Sequence, residues 1–137
     1  MESGGQDIRW KQRFSNFQKA FQRLAHAIEV VKADPGNEVL QAGLIQIYEF
    51  TFELAWKTLK DYLEDEGFDL PSPKRTLRQA FQSGYIENGS EWIKALDARN
   101  QTAHVYDEKI LIEIVAKIQN TYFFLLEDLK QTLENNL

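Results

Sequence analysis

The chain of 137 residues contains no cysteine and only two histidines, His26 and His104. The lack of cysteine excludes disulfide frameworks, thiolate zinc sites and cysteine nucleophiles, and it suits a cytoplasmic protein without requiring one. Two histidines outside an H-E-x-x-H spacing do not make a zinc site. We therefore expect a protein that uses no metal and no cofactor.

Acidic residues outnumber basic ones, and long apolar runs are absent from the sequence. The 16 Lys and Arg residues stand against 21 Asp and Glu, which gives a formal charge of −5. This balance argues against a protein that coats polyanions with its whole surface, although it leaves room for a local basic patch. No apolar run approaches the roughly 18 residues of a membrane span, and residues 1–5 lack the features of a signal peptide. We expect a cytoplasmic protein without a membrane segment, beginning with a flexible tail over residues 1–8.

Apolar residues recur at helical spacing over most of the chain. In the first segment the steps alternate between four and three, which keeps one stripe on a helix: Trp10, Phe14, Phe17, Phe21, Leu24, Ile28 and Val31. Pro35 and Gly36 predict its end. A second long helix is predicted over about 38–66, with Gly67 as a left-handed terminator, and a final long helix over about 107–133.

Two short helices are predicted between the long ones. Ser72 is placed to cap a helix whose first position is Pro73 and which ends near Gly84. Ser90 is the expected cap of the next helix, over 91–96. Since no alternating strand pattern occurs, we expect an all-α fold, an antiparallel up-and-down bundle of four to five helices. It would form a single domain over residues 9–137.

The second predicted helix carries more apolar surface than one stripe needs, at Ile45, Tyr48, Phe50, Phe52, Leu54 and Trp56. A helix that is apolar on two faces is usually buried on both. Either it is the central helix of the bundle, or its second face meets another subunit in a two-fold dimer. The pattern leaves both interpretations open.

Residues capable of chemistry concentrate in the window 97–106. Arg99 and His104 would point about 140° apart on a regular helix, so they converge only if the helix ends or unwinds between them. Histidine exchanges protons near neutral pH, and arginine offers a charged fork for phosphate oxygens. This pair suits cleavage of RNA through its own 2′-hydroxyl, a group that DNA lacks. The second proton-transfer group would have to come from a symmetric partner.

Alternative interpretations remain for these and for other residues. A histidine and an arginine at a helix end more often serve as a cap and as surface charge. His26 is expected to face solvent. The carboxylates of Glu49 and Glu53, one helical turn apart, more often form a solvated or interface stripe than a catalytic pair. A basic cluster at the start of the third helix either touches nucleic-acid backbone or is local surface charge: Lys74, Arg75 and Arg78.

The segment from Arg99 to Tyr106 resembles the R-x4-H-x-Y pattern of the HEPN superfamily. More narrowly, it is similar to the HepT-type toxins, also described as nucleotidyltransferase substrate-binding proteins. The run over 48–60 is similar to the signature of that family's second helix, and the segments over 73–75 and 80–92 also fit. The resemblance covers most of the chain, from about Trp10 to Leu133.

This resemblance implies a HEPN-like helical bundle that forms a homodimer and places two R-x4-H segments in a shared cleft. It implies a metal-independent endoribonuclease, the toxin of a toxin–antitoxin pair. Arg99 would then bind the scissile phosphate, His104 would transfer protons, and Asn100 would position the pair.

The resemblance also implies a partner, a minimal nucleotidyltransferase that acts as antitoxin. That enzyme would transfer AMP from ATP to Tyr106. Each added nucleotide brings about one negative charge beside Arg99, which should repel RNA and block the site. The alternative that the same family allows is a non-catalytic adaptor that presents substrate to its nucleotidyltransferase.

Overall fold

The computed structural model describes the backbone of residues 4–137, and their side chains from residue 8 onward. Its α-helices are α1 (Gly4–Ala33), α2 (Glu38–Asp65), α3 (Pro73–Gln82), α4 (Gly89–Asn100), α5 (Glu108–Lys117) and α6 (Phe123–Glu134). A 3-10 turn, Gln101–His104, follows α4. A π-helical segment, Ile118–Tyr122, connects α5 to α6, so that the three form one continuous helical segment. These described residues contain no strand, so the expected all-α fold is confirmed.

Most of the predicted helix ends are observed. Gly67 and Gly84 adopt positive φ angles of 105° and 83°, as helix terminators do. The Ser72 hydroxyl accepts the backbone N–H of Arg75 at 3.2 Å, which confirms the predicted cap of α3. At the other end of the chain, α1 begins at Gly4, inside the segment predicted as a tail. Of that tail, residues 1–3 lie outside the described residues.

The predicted cap of the fourth helix is wrong. Helix α4 begins at Gly89, one residue before Ser90, and Asn88 precedes it in the left-handed region with φ 55°. Asparagine is one of the few residues other than glycine that adopts this conformation readily. The chain therefore turns at Asn88, and Ser90 falls inside the first turn of the helix.

The core of the bundle forms between α1 and α2. All seven apolar residues of the predicted stripe on α1 are buried, which confirms that stripe. The ring of Trp10 meets Tyr62 of α2 edge-on, with centroids 4.8 Å apart. Near the middle of α1, Phe21 stacks on Phe123, with ring centroids 4.9 Å apart. Aromatic contacts thus join α1 both to the central helix and to the start of α6.

Helix α2 is the central helix of the bundle. It packs against α1, α3, α4, α5 and α6, and Tyr48, Phe52 and Leu59 are fully buried. Burial inside one chain therefore accounts for most of its second apolar face, and the first of the two interpretations is confirmed. Phe50 keeps 38% of its surface exposed, and a dimer stays a prediction.

The last predicted helix has the expected extent but is less regular than its pattern indicates. It runs from Glu108 to Glu134 and contains the π-helical segment, whose first and last residues, Ile118 and Tyr122, are both buried. A π-turn inserts one residue into a helix. In the described part of the chain, no helix is long and apolar enough to cross a membrane.

Candidate active site

Two buried contacts fix α4 against α2 just before the candidate residues. The Tyr48 hydroxyl donates to the carbonyl of Ala95 at 2.6 Å. The ring centroids of Trp92 and Phe52 are 5.9 Å apart. Burial raises the pKa of Tyr48 well above its ordinary value, so the hydroxyl stays protonated and donates. The backbone before Arg99 is therefore held in place by the core.

The chain leaves the α-helical path between Arg99 and His104. Helix α4 ends at Asn100 and continues as a 3-10 turn, which confirms the predicted unwinding. The Thr102 hydroxyl lies 2.9 Å from the carbonyl of Arg99 and also bonds to the carboxylate of Glu49 on α2. Thr102 thus ties the turn both to the end of its own helix and to the central helix.

The guanidinium of Arg99 is held by two acceptors. Its Nη2 donates to Glu53 of α2, and its Nη1 donates to the side-chain oxygen of Asn100 at 3.2 Å. Its Nε is buried and has no hydrogen-bond partner among the described residues. The side chains of Arg99 and Glu53 stay 31% and 27% exposed, so the pair borders solvent and an anion can reach the guanidinium edge.

Glu53 receives two cations, since Lys57 Nζ lies 3.1 Å from its second oxygen. Burial acts to raise the pKa of this carboxyl, but Lys57, the indole of Trp56 and the charge of Arg99 together lower it below the ordinary value. The indole N–H of Trp56 is itself buried without a well-formed hydrogen bond. Glu53 is therefore ionised at neutral pH and carries the charge that orients Arg99.

His104 and Tyr106 lie on the outside of the corner formed by the 3-10 turn. Tyr106 is 80% exposed, and His104 is also exposed. Their rings meet edge-on with centroids 6.1 Å apart. In the described part of the chain, no hydrogen bond or ion pair joins His104 to Arg99. One chain thus brings Arg99 together with Asn100, and His104 together with Tyr106.

The two carboxylates on α2 are the part of the corner that sequence reasoning undervalued. Glu49 and Glu53 do not form a merely solvated stripe, because both accept hydrogen bonds from the motif segment; their place at a subunit interface stays a prediction. The partners lie 46 and 53 residues away in sequence. The one available signal was a pair of carboxylates at one-turn spacing in an otherwise uncharged stretch of α2, residues 45–56.

The remaining candidates lie apart from the corner. His26 is exposed, as predicted. The basic cluster at the start of α3 is also exposed, with Lys74, Arg75 and Arg78 all facing solvent. Among the described residues, no three His, Asp or Glu side chains form a group that could hold a metal ion.

A cation, an amide and an imidazole thus share one solvent-facing corner. The guanidinium can bind a phosphate, and an exposed imidazole is a side chain suited to proton transfer. One copy supplies one proton-transfer group. This is half of what an acid–base cleavage requires.

The chain was compared with known families, proteins and solved structures. Residues 12–135 match the family described as nucleotidyltransferase substrate binding protein like. A probable ribonuclease HepT from Haemophilus influenzae is 34% identical over 103 residues, which are 69% of this chain and 70% of that protein.

Two solved structures are similar over nearly their whole length. One, from Haemophilus influenzae, is described as the fold of a substrate binding domain of a nucleotidyltransferase; it has a TM-score of 0.78 and 25% identity, and the match covers 88% of this chain and 98% of that one. A crystal structure of a protein from Thermus thermophilus has a TM-score of 0.76 and 29% identity, covering 87% and 97%. The family match and the HepT relative together confirm the resemblance seen in the motif: the chain belongs to the HepT-like nucleotidyltransferase substrate-binding family.

Proposed function

We propose that this protein is a homodimeric, metal-independent endoribonuclease that acts in the cytoplasm as the toxin of a toxin–antitoxin pair. The observation that carries the proposal is the bent R-x4-H-x-Y corner, which fixes Arg99 against Glu53 while it exposes His104 and Tyr106. The relative named probable ribonuclease HepT supports the same chemistry.

In this mechanism the RNA supplies its own nucleophile. A neutral His104 takes the proton of a 2′-hydroxyl, and the 2′-oxygen attacks the adjacent phosphorus. The bond from phosphorus to the 5′-oxygen breaks, and that oxygen receives a proton from a protonated His104 of a second copy. Arg99 stabilises the extra negative charge on the phosphoryl oxygens, and Asn100 holds the guanidinium edge in place. The products are a 2′,3′-cyclic phosphate and a free 5′-hydroxyl.

The dimer supplies what a single corner lacks. A two-fold axis near the corner brings two Arg99–His104 pairs to one phosphate, so that one imidazole acts as base and the other as acid. Phe50 is the side chain of α2 that stays exposed one helical turn from Glu53. An apolar side chain at this place suits an interface whose rim is the corner.

Tyr106 provides the means of control. Its hydroxyl attacks the α-phosphorus of ATP in the active site of the nucleotidyltransferase, pyrophosphate leaves, and the hydroxyl proton passes to a base of that enzyme. An 80% exposed ring is accessible to such an enzyme without unfolding. The phosphodiester that forms places a negative charge beside the corner, where it competes with RNA for Arg99.

Substitution of the histidine tests the nuclease. We expect His104→Ala to lower RNA cleavage by about 10²-fold or more, the usual contribution of a proton-transfer group, and to abolish growth arrest. Because His104 is exposed, the variant should keep its melting temperature and its dimeric mass. His26→Ala, which removes the other exposed histidine, is the matched control. A His104→Ala protein that still arrests growth would refute the proposal.

Substitution of the tyrosine tests the control step. Incubation with the cognate nucleotidyltransferase, ATP and Mg²⁺ should add the mass of one or more AMP units to the wild-type protein and none to Tyr106→Phe. Tyr62→Phe, on α2, serves as the control. Unchanged labelling of Tyr106→Phe would place the modification on another residue.

The rival function is an adaptor without chemistry of its own, which presents substrate to a nucleotidyltransferase. The structure from Haemophilus influenzae described as a substrate binding domain favours this candidate. The two differ when the chain is expressed without its partner. A nuclease arrests growth under those conditions, whereas an adaptor has no effect.

A further inference from the structure

One face of α3 carries three cations that the corner does not use. Lys74, Arg75 and Arg78 are exposed, and in the described part of the chain none of their charged groups takes part in an ion pair or a hydrogen bond. The helix contains no acidic residue. In a protein of net charge −5, this is a local concentration of positive charge, named here the α3 cationic face.

The three cations lie together because of their spacing. At about 100° per residue, Lys74, Arg78 and Arg75 fall within an arc of about 100°. The buried residues of the same helix, Thr76 and Leu77 among them, point to the opposite side. The charged groups are therefore presented outward as one face about 6 Å long.

Helix stability does not account for this placement. Lys74 and Arg75 stand in the first turn of α3, where the positive end of the helix dipole disfavours cations. They also lie next to each other without a compensating carboxylate. These cations slightly destabilise the helix and have no partner of opposite charge in the described part of the chain. They are therefore available to bind an external anion.

A groove with an exposed aromatic ring adjoins the α3 cationic face. It measures about 680 Å³, and its lining includes Arg78, the ring of Phe81 and the polar side chains of Gln82, Asn88 and Ser90. Phe81 is 52% exposed. An unstacked base can lie on such a ring, since every base has a face that stacks on an aromatic side chain.

We propose that the α3 cationic face and its groove bind single-stranded RNA, with phosphates on the three cations and one base stacked on Phe81. Helix α3 packs against α2 and α4, the two helices that hold Glu53 and Arg99. A strand bound to α3 therefore lies on a helix that packs directly against the two helices of the candidate active site. Its use as the strand that is cleaved rests on the proposed function.

Charge complementarity favours RNA over a protein partner. Protein interfaces have an apolar core with few charges, whereas here three cations lie beside a groove whose apolar lining is limited to Phe81, Leu77 and Ile93. Cations that follow a backbone beside an aromatic platform are the arrangement of single-strand binding sites. An acidic protein surface is the competing occupant, and the experiment below separates the two.

The role of the three cations is tested by measuring the affinity for RNA and its dependence on salt concentration. The probe is a fluorescent oligonucleotide of about 12 nucleotides, fully 2′-O-methylated so that cleavage through the 2′-hydroxyl is impossible. We expect Lys74→Ala/Arg75→Ala/Arg78→Ala to bind at least about 10-fold more weakly and to lower the slope of log K against log salt by about 2, which is about 0.7 for each lost phosphate contact. The matched control is Lys19→Ala/Arg23→Ala/Lys109→Ala, three exposed cations elsewhere, which should leave affinity and slope unchanged.

The ring is tested separately. Phe81→Ala should weaken binding about 10-fold without changing the salt slope, and Phe81→Trp should restore it, because stacking is insensitive to salt. The control is Phe124→Ala, which removes another exposed ring, 50% exposed, on α6. A merely structural role of Phe81 would lower the melting temperature and would not be rescued by tryptophan.

The outcomes separate this inference from the proposed function. If the α3 variants bind the probe as the wild type does, the inference is wrong, whether or not the protein cleaves RNA. If they keep RNA binding but lose the nucleotidyltransferase in a pull-down, the face is a protein-docking surface and the inference is again wrong. If the wild-type protein binds the probe through α3 but cleaves no unmodified RNA, the inference stands and the proposed function fails.

Discussion

Arg13 and Arg99 each pair with a carboxylate on α2, but the two pairs lie in different surroundings. Arg13 Nε lies 2.7 Å from an oxygen of Asp61, whose side chain is only 6% exposed, between two long helices that pack along their length. Arg99 meets Glu53 at a corner where both side chains border solvent. At this corner, Glu53 also forms an ion pair with Lys57, and the Nε of Arg99 has no hydrogen-bond partner among the described residues.

The first pair stabilises the packing of the bundle, whereas the second orients a side chain of the candidate active site. A buried carboxylate with one cation contributes to the association of α1 with α2 and is costly to leave alone. A half-exposed carboxylate with two cations adds little to stability. What it does is fix the direction of a guanidinium. Substitutions in the two pairs should therefore change different properties.

The largest effect on stability is expected from the pair with the buried carboxylate, although the Arg13 side chain itself is 32% exposed. Arg13→Met leaves Asp61 buried without a cation and should lower the free energy of unfolding by about 3 kcal/mol, as measured by urea denaturation. RNA cleavage at a temperature where the protein is folded should not change. Arg23→Met, an exposed arginine on the same helix, should cost less than about 0.5 kcal/mol. Equal losses in the two variants would contradict the role of Arg13 as the cation that compensates the buried Asp61.

A smaller effect on stability, but a larger one on activity, is expected at the corner. Glu53→Gln keeps the shape and one acceptor but removes the charge, so it should cost less than about 1 kcal/mol. Cleavage should fall about 10-fold because the guanidinium is held less firmly, and a misplaced group costs rate. Glu64→Gln removes a carboxylate of α2 that pairs with Lys60 away from the corner, and should leave cleavage unchanged.

The smallest effect is the pH dependence of that pair. The pKa of Glu53 in the folded protein lies below the ordinary value of 4.5. The contribution of ionised Glu53 to the free energy of unfolding is therefore complete above that value. It is lost as the pH falls through the pKa that Glu53 has in the folded protein. The difference in unfolding free energy between wild type and Glu53→Gln, about 0.5 kcal/mol, should be constant from pH 7 to about pH 5.5 and vanish in stronger acid. A difference that grows in acid would show that Glu53 is not held by cations.

The bundle was largely predictable from the sequence, because its helices follow local rules. Every stripe residue of α1 is buried, and the ends at Gly67 and Ser72 follow from backbone freedom and capping. The start of α4 was not predictable from Ser90, since an asparagine in the left-handed region has no distinct pattern. The π-helical segment was missed for a similar reason: one extra residue at Ile118–Tyr122 leaves an apolar stripe that still reads as a regular helix.

The corner was only half predictable. Residue types alone pointed to Arg99 and His104, and the propensities of Asn100 and Thr102 indicated the unwinding between them. The acceptors Glu49 and Glu53 could not be assigned, because their hydrogen bonds join residues about 50 positions apart, and they exist only once α4 has packed across α2. Periodicity describes one helix at a time and says nothing about which helices cross.

The span of those hydrogen bonds has a consequence for the protein during its synthesis. A nascent chain that has not yet emerged beyond Arg99 carries the acidic half of the corner without its cation, and α2 without α4 against it. The contact therefore forms late, after roughly three quarters of the polypeptide has been translated and has collapsed around the central helix. An interrupted translation product that stops before this point has no assembled corner.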